Sequence, residues 1–174
     1  MSTTVKPPTR DSKPPEAKPP FPKKLLEIRE VKTPEERREY DRVLVDAFKK
    51  EQGMDAKKFE MLDGFFQDHR RFIACLSDRV VGTGMLAKLP DSGKHAILRL
   101  SVDERFRDPA LGISRSIAAR IEEEARKMGL AELISYCSER LMRIYQRFGG
   151  YEPIEKRDDV PGMEPYWVIR KKLE

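Results

Sequence analysis

Between Ala96 and Met128 the hydrophobic period of the chain changes. The run Ala-Ile-Leu-Arg-Leu-Ser-Val gives way to Asp-Glu-Arg-Phe-Arg-Asp-Pro-Ala-Leu-Gly-Ile-Ser, after which Ile113, Ile117, Ile121 and Ala125 recur every four residues. The first part reads as a strand. The last reads as an amphipathic helix with one buried face, and Arg115, Arg120, Glu123, Glu124 and Arg126 lie off its stripe. Strand, glycine-bearing loop and long helix in succession commit the chain to a mixed α/β architecture. The start of the helix leaves backbone N–H groups without intrahelical partners and carries partial positive charge, so it suits a phosphate or pyrophosphate, and Gly112 lets the chain approach closely. The plainer reading is an ordinary strand-to-helix loop that happens to contain a glycine and an arginine.

The rest of the chain supplies the elements around this unit. Leu25 to Val31 alternates apolar and charged residues and reads as a strand. Thr33, Pro34 and Glu36 form a Thr-x-x-Glu capping signal for a helix whose stripe is Tyr40, Val43, Leu44, Ala47 and Phe48, ending at Gly53. Asp55 starts a shorter helix through Phe59 and Leu62 to Gly64. Phe65 and Phe66 then read either as pocket lining or, more plainly, as core. Arg71 to Leu76 and Val80 to Leu89 form a hairpin about Ser77, Asp78 and Arg79, and the turn at Pro90 to Gly93 pairs His95 to Val102 antiparallel with its predecessor. After Gly129 come a strand from Glu132 to Cys137 and a helix from the cap Ser138 through Phe148. The closing strands are Tyr151 to Lys156 and Tyr166 to Lys172. The strand-helix-strand passage from Ala96 to Cys137 requires parallel neighbours, so an antiparallel first half precedes a parallel crossover.

Charge is distributed unevenly. The net charge is +5, but residues 1–24 contribute +4, from Lys6, Arg10, Lys13, Lys18, Lys23 and Lys24 against Asp11 and Glu16. The remaining domain, 25–174, is left near neutrality, which argues against a nucleic-acid face. Residues 1–24 also hold seven of the thirteen prolines, with Lys-Pro-Pro at Lys6, Lys13 and Lys18. They read as a disordered tail, either solubilising or a docking peptide. Cys75 and Cys137 have no paired spacing, so neither a disulfide framework nor a metal site is expected, and a reducing, cytoplasmic location fits. No apolar run reaches the length of a membrane span, and no signal peptide is evident.

These residues resemble the GNAT superfamily of acyl-CoA-dependent N-acyltransferases over Leu25 to Leu173. The order of elements matches the GNAT fold. Leu100-Ser101-Val102, the arginine-bearing loop and Gly112-Ile113-Ser114 look like the family's acyl-CoA segment. Tyr145, in Arg-Ile-Tyr-Gln-Arg-Phe-Gly, sits where many members have a tyrosine general acid. The resemblance implies acetyl-CoA or another acyl-CoA as co-substrate, and a small-molecule or protein amine as acceptor. It implies Leu100, Val102, Arg107, Gly112, Ile113 and Ser114 as donor-binding residues and Tyr145 as the catalytic acid. The chain departs from the family pattern in having four residues between Arg107 and Gly112 instead of two, Asp108 within that loop, Ser114 for the second glycine, Ser138 for a frequent Asn, and no carboxylate on the strand from Ala96 to Val102.

The chemistry needs an aligned amine and thioester, removal of a proton from the ammonium, polarisation of the carbonyl and protection of the departing thiolate. A strand splayed at Leu100 to Val102 would expose N–H groups to the donor arm and the thioester oxygen, and Arg107 with the N–H groups of Gly112, Ile113 and Ser114 would hold the pyrophosphate. Plainer readings stand beside these. Tyr145 shares an apolar helical face with Leu141, Ile144 and Phe148; Arg107 can pair with Asp103 or Asp108; Gly112 can serve close helix packing. His69, His95, Glu51 and Asp63 leave the general base unassigned. Phe65 to Phe72, Val80 to Gly84 and Arg99 to Val102 also look like the acyl-homoserine-lactone and N-acyl amino acid synthase branch, which implies acyl carrier protein as donor. A catalytically silent module that binds a partner through its tail is the reading from another class, and a homodimer through the closing strands is a further expectation.

Overall fold

The computed structural model describes residues 25–52, 55–66, 68–159, 161–162 and 164–174, with the side chains of 50–52 and 148 excepted. The tail expected over 1–24 and Gly53, the expected stop of the first helix, lie outside these. Seven strands form one sheet: β1 (Leu26–Glu30), β2 (His69–Leu76), β3 (Arg79–Lys88), β4 (His95–Val102), β5 (Glu132–Ser138), β6 (Glu152–Arg157) and β7 (Tyr166–Lys172). Their order is β1-β2-β3-β4-β5-β7-β6. Every pairing is antiparallel except β4 with β5, which follows from the crossover through α3 (Ile113–Lys127). The mixed α/β fold and its antiparallel first half are therefore as the sequence leads one to expect, with strand ends shifted by one or two residues.

Two clusters of side chains, one on each face of the sheet, show why α1 (Pro34–Gln52), α2 (Ala56–Asp63), α3 and α4 (Glu139–Gly149) pack where they do. On β2, Phe72 and Ala74 join Ile113, Ile117 and Ile121 of α3 and Met142 and Tyr145 of α4, whereas Ile73 and Cys75 join Tyr40, Val43 and Leu44 of α1 and Phe59 of α2. The two-residue period of a strand thus feeds two cores. α1 starts at the expected capping box: the Glu36 N–H donates to Thr33 Oγ1 at 3.1 Å, and the Thr33 N–H donates to Glu36 Oε2 at 3.2 Å.

Strand β3 is buried over eight consecutive residues, and its glycines admit α3. A Cβ on Gly84 would lie 2.6 Å from Ile117 Cγ2 and 2.9 Å from Ile121 Cδ1. Gly84→Ala is therefore expected to destabilise the domain by about 1–3 kcal/mol through overpacking. Urea denaturation would show this as a lowered midpoint at constant slope; an unchanged midpoint would mean that α3 shifts freely on the sheet.

Three expectations are corrected. Phe65 is not core: it follows the end of α2 in a turn and is 62% exposed. On α4, Leu141 and Ile144 are exposed while Met142 and Tyr145 are buried. Apolar residues occupy a wide arc of that helix, and only the row facing β5, β7 and α3 docks. Glu124 is buried although polar, because Arg70, Arg120 and Lys127 reach it at 2.9, 2.6 and 3.1 Å. The Lys127 and Arg70 hydrogen bonds hold its carboxyl down to about 2.

Candidate active site

The site begins where two strands part. β4 and β5 pair only at Ala96 with Ile134 and Ile97 with Ser135, although both strands continue. Beyond Ile97, β4 remains bonded to β3 and β5 remains bonded to β7, so a V-shaped opening separates them. A β-bulge accounts for the divergence. Leu98 pairs with Met85 and Ser101 with Thr83, which sets both Arg99 and Leu100 against Gly84 and bends β4.

Arg99 has φ +57°, a left-handed conformation rarely adopted by a residue with a Cβ. It persists because its surroundings over-determine it. Thr83 Oγ1 donates to the Arg99 carbonyl at 2.9 Å and lies 2.6 Å from Ser101 Oγ. The Arg99 guanidinium bonds Asp63 at 3.2 Å and sits 4.7 Å from the Phe59 ring centroid. Arg99 therefore points to the α1/α2 face, whereas Leu100 and Val102 join the cluster beneath α3.

Tyr145 reaches the bottom of the opening from α4. Ser135, at the last rung of the β4/β5 ladder, donates its hydroxyl to the Ile97 carbonyl at 3.0 Å. Its oxygen also hydrogen-bonds the Tyr145 phenol. The Tyr145 ring packs edge-on against Tyr151 at 5.5 Å, and burial pushes the phenol up to about 12. Tyr151 is itself anchored by Glu122, whose carboxylate accepts its hydroxyl at 3.2 Å. Gly149 is required by this arrangement, since a Cβ there would meet the Tyr151 ring at 2.5 Å, and Gly150 turns the chain with φ +66°.

At the other end, the loop from β4 to α3 holds two single 3₁₀ turns, Glu104–Phe106 and Pro109–Leu111. Asp108 caps the second by accepting the Ala110 N–H at 2.9 Å. Arg107 Nε donates to the Val102 carbonyl at 2.9 Å, which fastens the loop to the end of β4. Gly112 has φ +60° with nothing within 4 Å of where a Cβ would stand, so backbone conformation, and not close packing, calls for glycine. Ser116 is the first residue to bond back, its N–H reaching the Gly112 carbonyl at 2.9 Å. The N–H groups of Ile113 and Ser114 precede that bond at the helix start. Ile113 is buried and Ser114 half-buried.

On the α1/α2 face a cleft of about 470 Å³ is lined by Arg37, Asp41, Glu60, Asp63, His69 and Arg71. His69 lies in β2, not in a loop. Its Nδ1 is 3.0 Å from the Phe66 carbonyl, an acceptor, so Nδ1 is the donor in that contact. His95 lies at the start of β4, where burial lowers its pKa. Sequence reasoning overlooked Ser135 and Thr83. The only signal was a small hydroxyl side chain flanked by small or apolar residues: Thr83 between two glycines in β3, and Ser135 after Leu133 and Ile134 in β5. Among the described residues no helix is long and apolar enough to cross a membrane, and no three His, Cys, Asp or Glu side chains gather as metal ligands.

Residues 25–150 match the acetyltransferase (GNAT) family. A search of curated proteins gives no match. Among solved structures, a candidate N-acetyltransferase of Lactobacillus plantarum superposes with a TM-score of 0.71 at 20% identity, covering 86% of this chain and 99% of that one. An aminoglycoside 6'-N-acetyltransferase complexed with coenzyme A gives 0.69 at 14% identity, over 84% and 97%. FeeM, an N-acyl amino acid synthase from uncultured soil microbes, gives 0.66 at 14% identity, over 85% and 92%. At these identities the likeness is one of fold.

Proposed function

Because the chain belongs to the acetyltransferase (GNAT) family, we propose that its domain, residues 25–174, moves an acyl group, acetyl in the first instance, from coenzyme A to a primary amine by direct attack. The observation that carries this reading is the opening between β4 and β5, with a buried, protonated tyrosine at its base and a bare helix start at its mouth. Backbone N–H groups from Leu100 to Val102 serve the donor arm and the thioester oxygen. Those of Gly112, Ile113 and Ser114, with Arg107, receive the pyrophosphate. Tyr145 faces the departing sulfur. A phenol near 12 would give its whole proton to a thiolate of reference pKa ~8.5 only against roughly 4–5 kcal/mol, so its contribution is a charge-assisted hydrogen bond to the developing thiolate. The two free buried cysteines, Cys75 and Cys137, support a cytoplasmic setting.

The lengthened loop, with the exposed Asp108 carboxylate beside the helix start, favours acyl carrier protein as a second reading of the donor. Calorimetric titration with acetyl-CoA, a longer acyl-CoA and carrier protein loaded with a dodecanoyl chain distinguishes the two. Micromolar binding of acetyl-CoA is expected, weakened about tenfold or more by Arg107→Ala or Gly112→Val. Binding of the loaded carrier alone would move the donor to the second reading, and binding of none would overturn the acyltransferase assignment.

A further inference from the structure

The charge enclosed between α2, β2 and β4 does not balance. Asp63, 4% exposed, accepts from Arg71 Nη2 at 3.0 Å and from Arg99 Nη2 at 3.2 Å. Arg37 also approaches at 3.9 Å, but its own partner is Asp41, at 2.9 and 3.0 Å. Two guanidinium groups on one carboxylate leave one positive charge uncompensated. Among the described residues the enclosed Nε–H groups of Arg71 and Arg99 have no acceptor, and neither does the Tyr40 hydroxyl, whose residue has zero exposure. Enclosed donors without acceptors are rare in folded proteins and call for an explanation.

We infer that this cluster recognises a carboxylate on the acceptor, so that the amine acylated is one that carries a carboxylate, of the amino acid class. This rests on the acyl-transfer reading above. Position supports it: Arg71 lines the cleft, and Arg99 stands at the bulge where β4 leaves β5. Arg99 and Arg71 meet at the Asp63 carboxylate, so the cleft wall formed by Arg71 is tied directly to the bulge. Rigidity supports it as well, because Asp63 and the Phe59 ring hold the Arg99 plane fixed. One uncompensated charge matches a monoanionic carboxylate better than a dianionic phosphate. The Asp41 and Glu60 carboxylates also line the cleft and suit an ammonium-bearing guest.

The test compares glycine, L-leucine and L-tyrosine with their carboxamides, both as acceptors of acetyl from acetyl-CoA and as ligands titrated calorimetrically without donor. The amides have the less basic, more readily freed amine, so a preference for the acids runs against intrinsic reactivity. The acids are expected to lead by about tenfold or more in kcat/KM, and to bind where the amides do not. Arg71→Gln should bring the ratio towards one while calorimetric acetyl-CoA affinity stays unchanged, and Arg71→Lys, which keeps the charge without the fork, should fall between. Amides equal to acids in the unmutated protein would overturn the inference, whether or not either variant folds. If acetyl-CoA binds and amides are acetylated equally well, only the carboxylate site is wrong. If neither acetyl-CoA nor the loaded carrier protein binds, the acyl-transfer reading is wrong, and the donor-free titration still decides whether the arginines take a carboxylate.

Discussion

Replacing Tyr145 by Phe is expected to lower kcat for acyl transfer by about 10²–10⁴-fold while leaving the donor Kd within about threefold, because the hydroxyl acts on charge that develops only as the thiolate departs. The substitution keeps the ring edge-on against Tyr151 and removes the hydroxyl that meets Ser135, so the stability change should be near 1 kcal/mol. The pH dependence is a second readout. Burial raises the phenol to about 12, so the group stays protonated and able to donate from about pH 6 to about pH 10, and its titration should impose no alkaline fall in rate over that range. An alkaline limb near pH 8 that vanishes in Tyr145→Phe would contradict this geometry. So would a variant that keeps kcat within about threefold.

Removing Asp63 should have the largest effect on stability. Its carboxylate is shared by Arg71 and Arg99, whose side chains are 17% and 15% exposed. Asp63→Ala strands two charges inside the domain and is expected to cost about 3–5 kcal/mol, or roughly 10 °C in Tm for a domain of this size. The Arg99 conformation at the bulge depends on the same bond, so donor affinity should fall as well. Deleting Arg99 together with Asp63 removes one of the stranded charges, and a double-mutant cycle should return a coupling above about 1 kcal/mol. A single-variant loss below about 1 kcal/mol would show that water or local rearrangement screens the cluster.

The parts of the fold legible in the sequence are those where cause and effect lie close together along the chain. Thr33 and Glu36 are three residues apart and make their box irrespective of what lies beyond. The four-residue recurrence from Ile113 to Ala125 buries those four residues as the period demands. On α4 the same reasoning chose the wrong row, because apolar residues stand on two neighbouring rows and only the partner surface decides between them. For Glu124 it failed differently: polarity was visible, but the arginine that pairs with it across the sheet was not.

The sequence by itself determined the mixed α/β order, the crossover that makes β4 and β5 parallel, the helix start at Gly112 and the position of Tyr145 on its helix. Only the tertiary structure decided the working geometry. The bulge is held by Thr83 on the Arg99 carbonyl, 16 residues away; the bottom of the opening by Ser135 on Ile97, 38 residues away; and the buried charge by Arg99 on Asp63, 36 residues away. Such contacts come into being only once the sheet has assembled, because closing each loop costs chain entropy that the packed core must already offset. No local pattern along the chain could have encoded them.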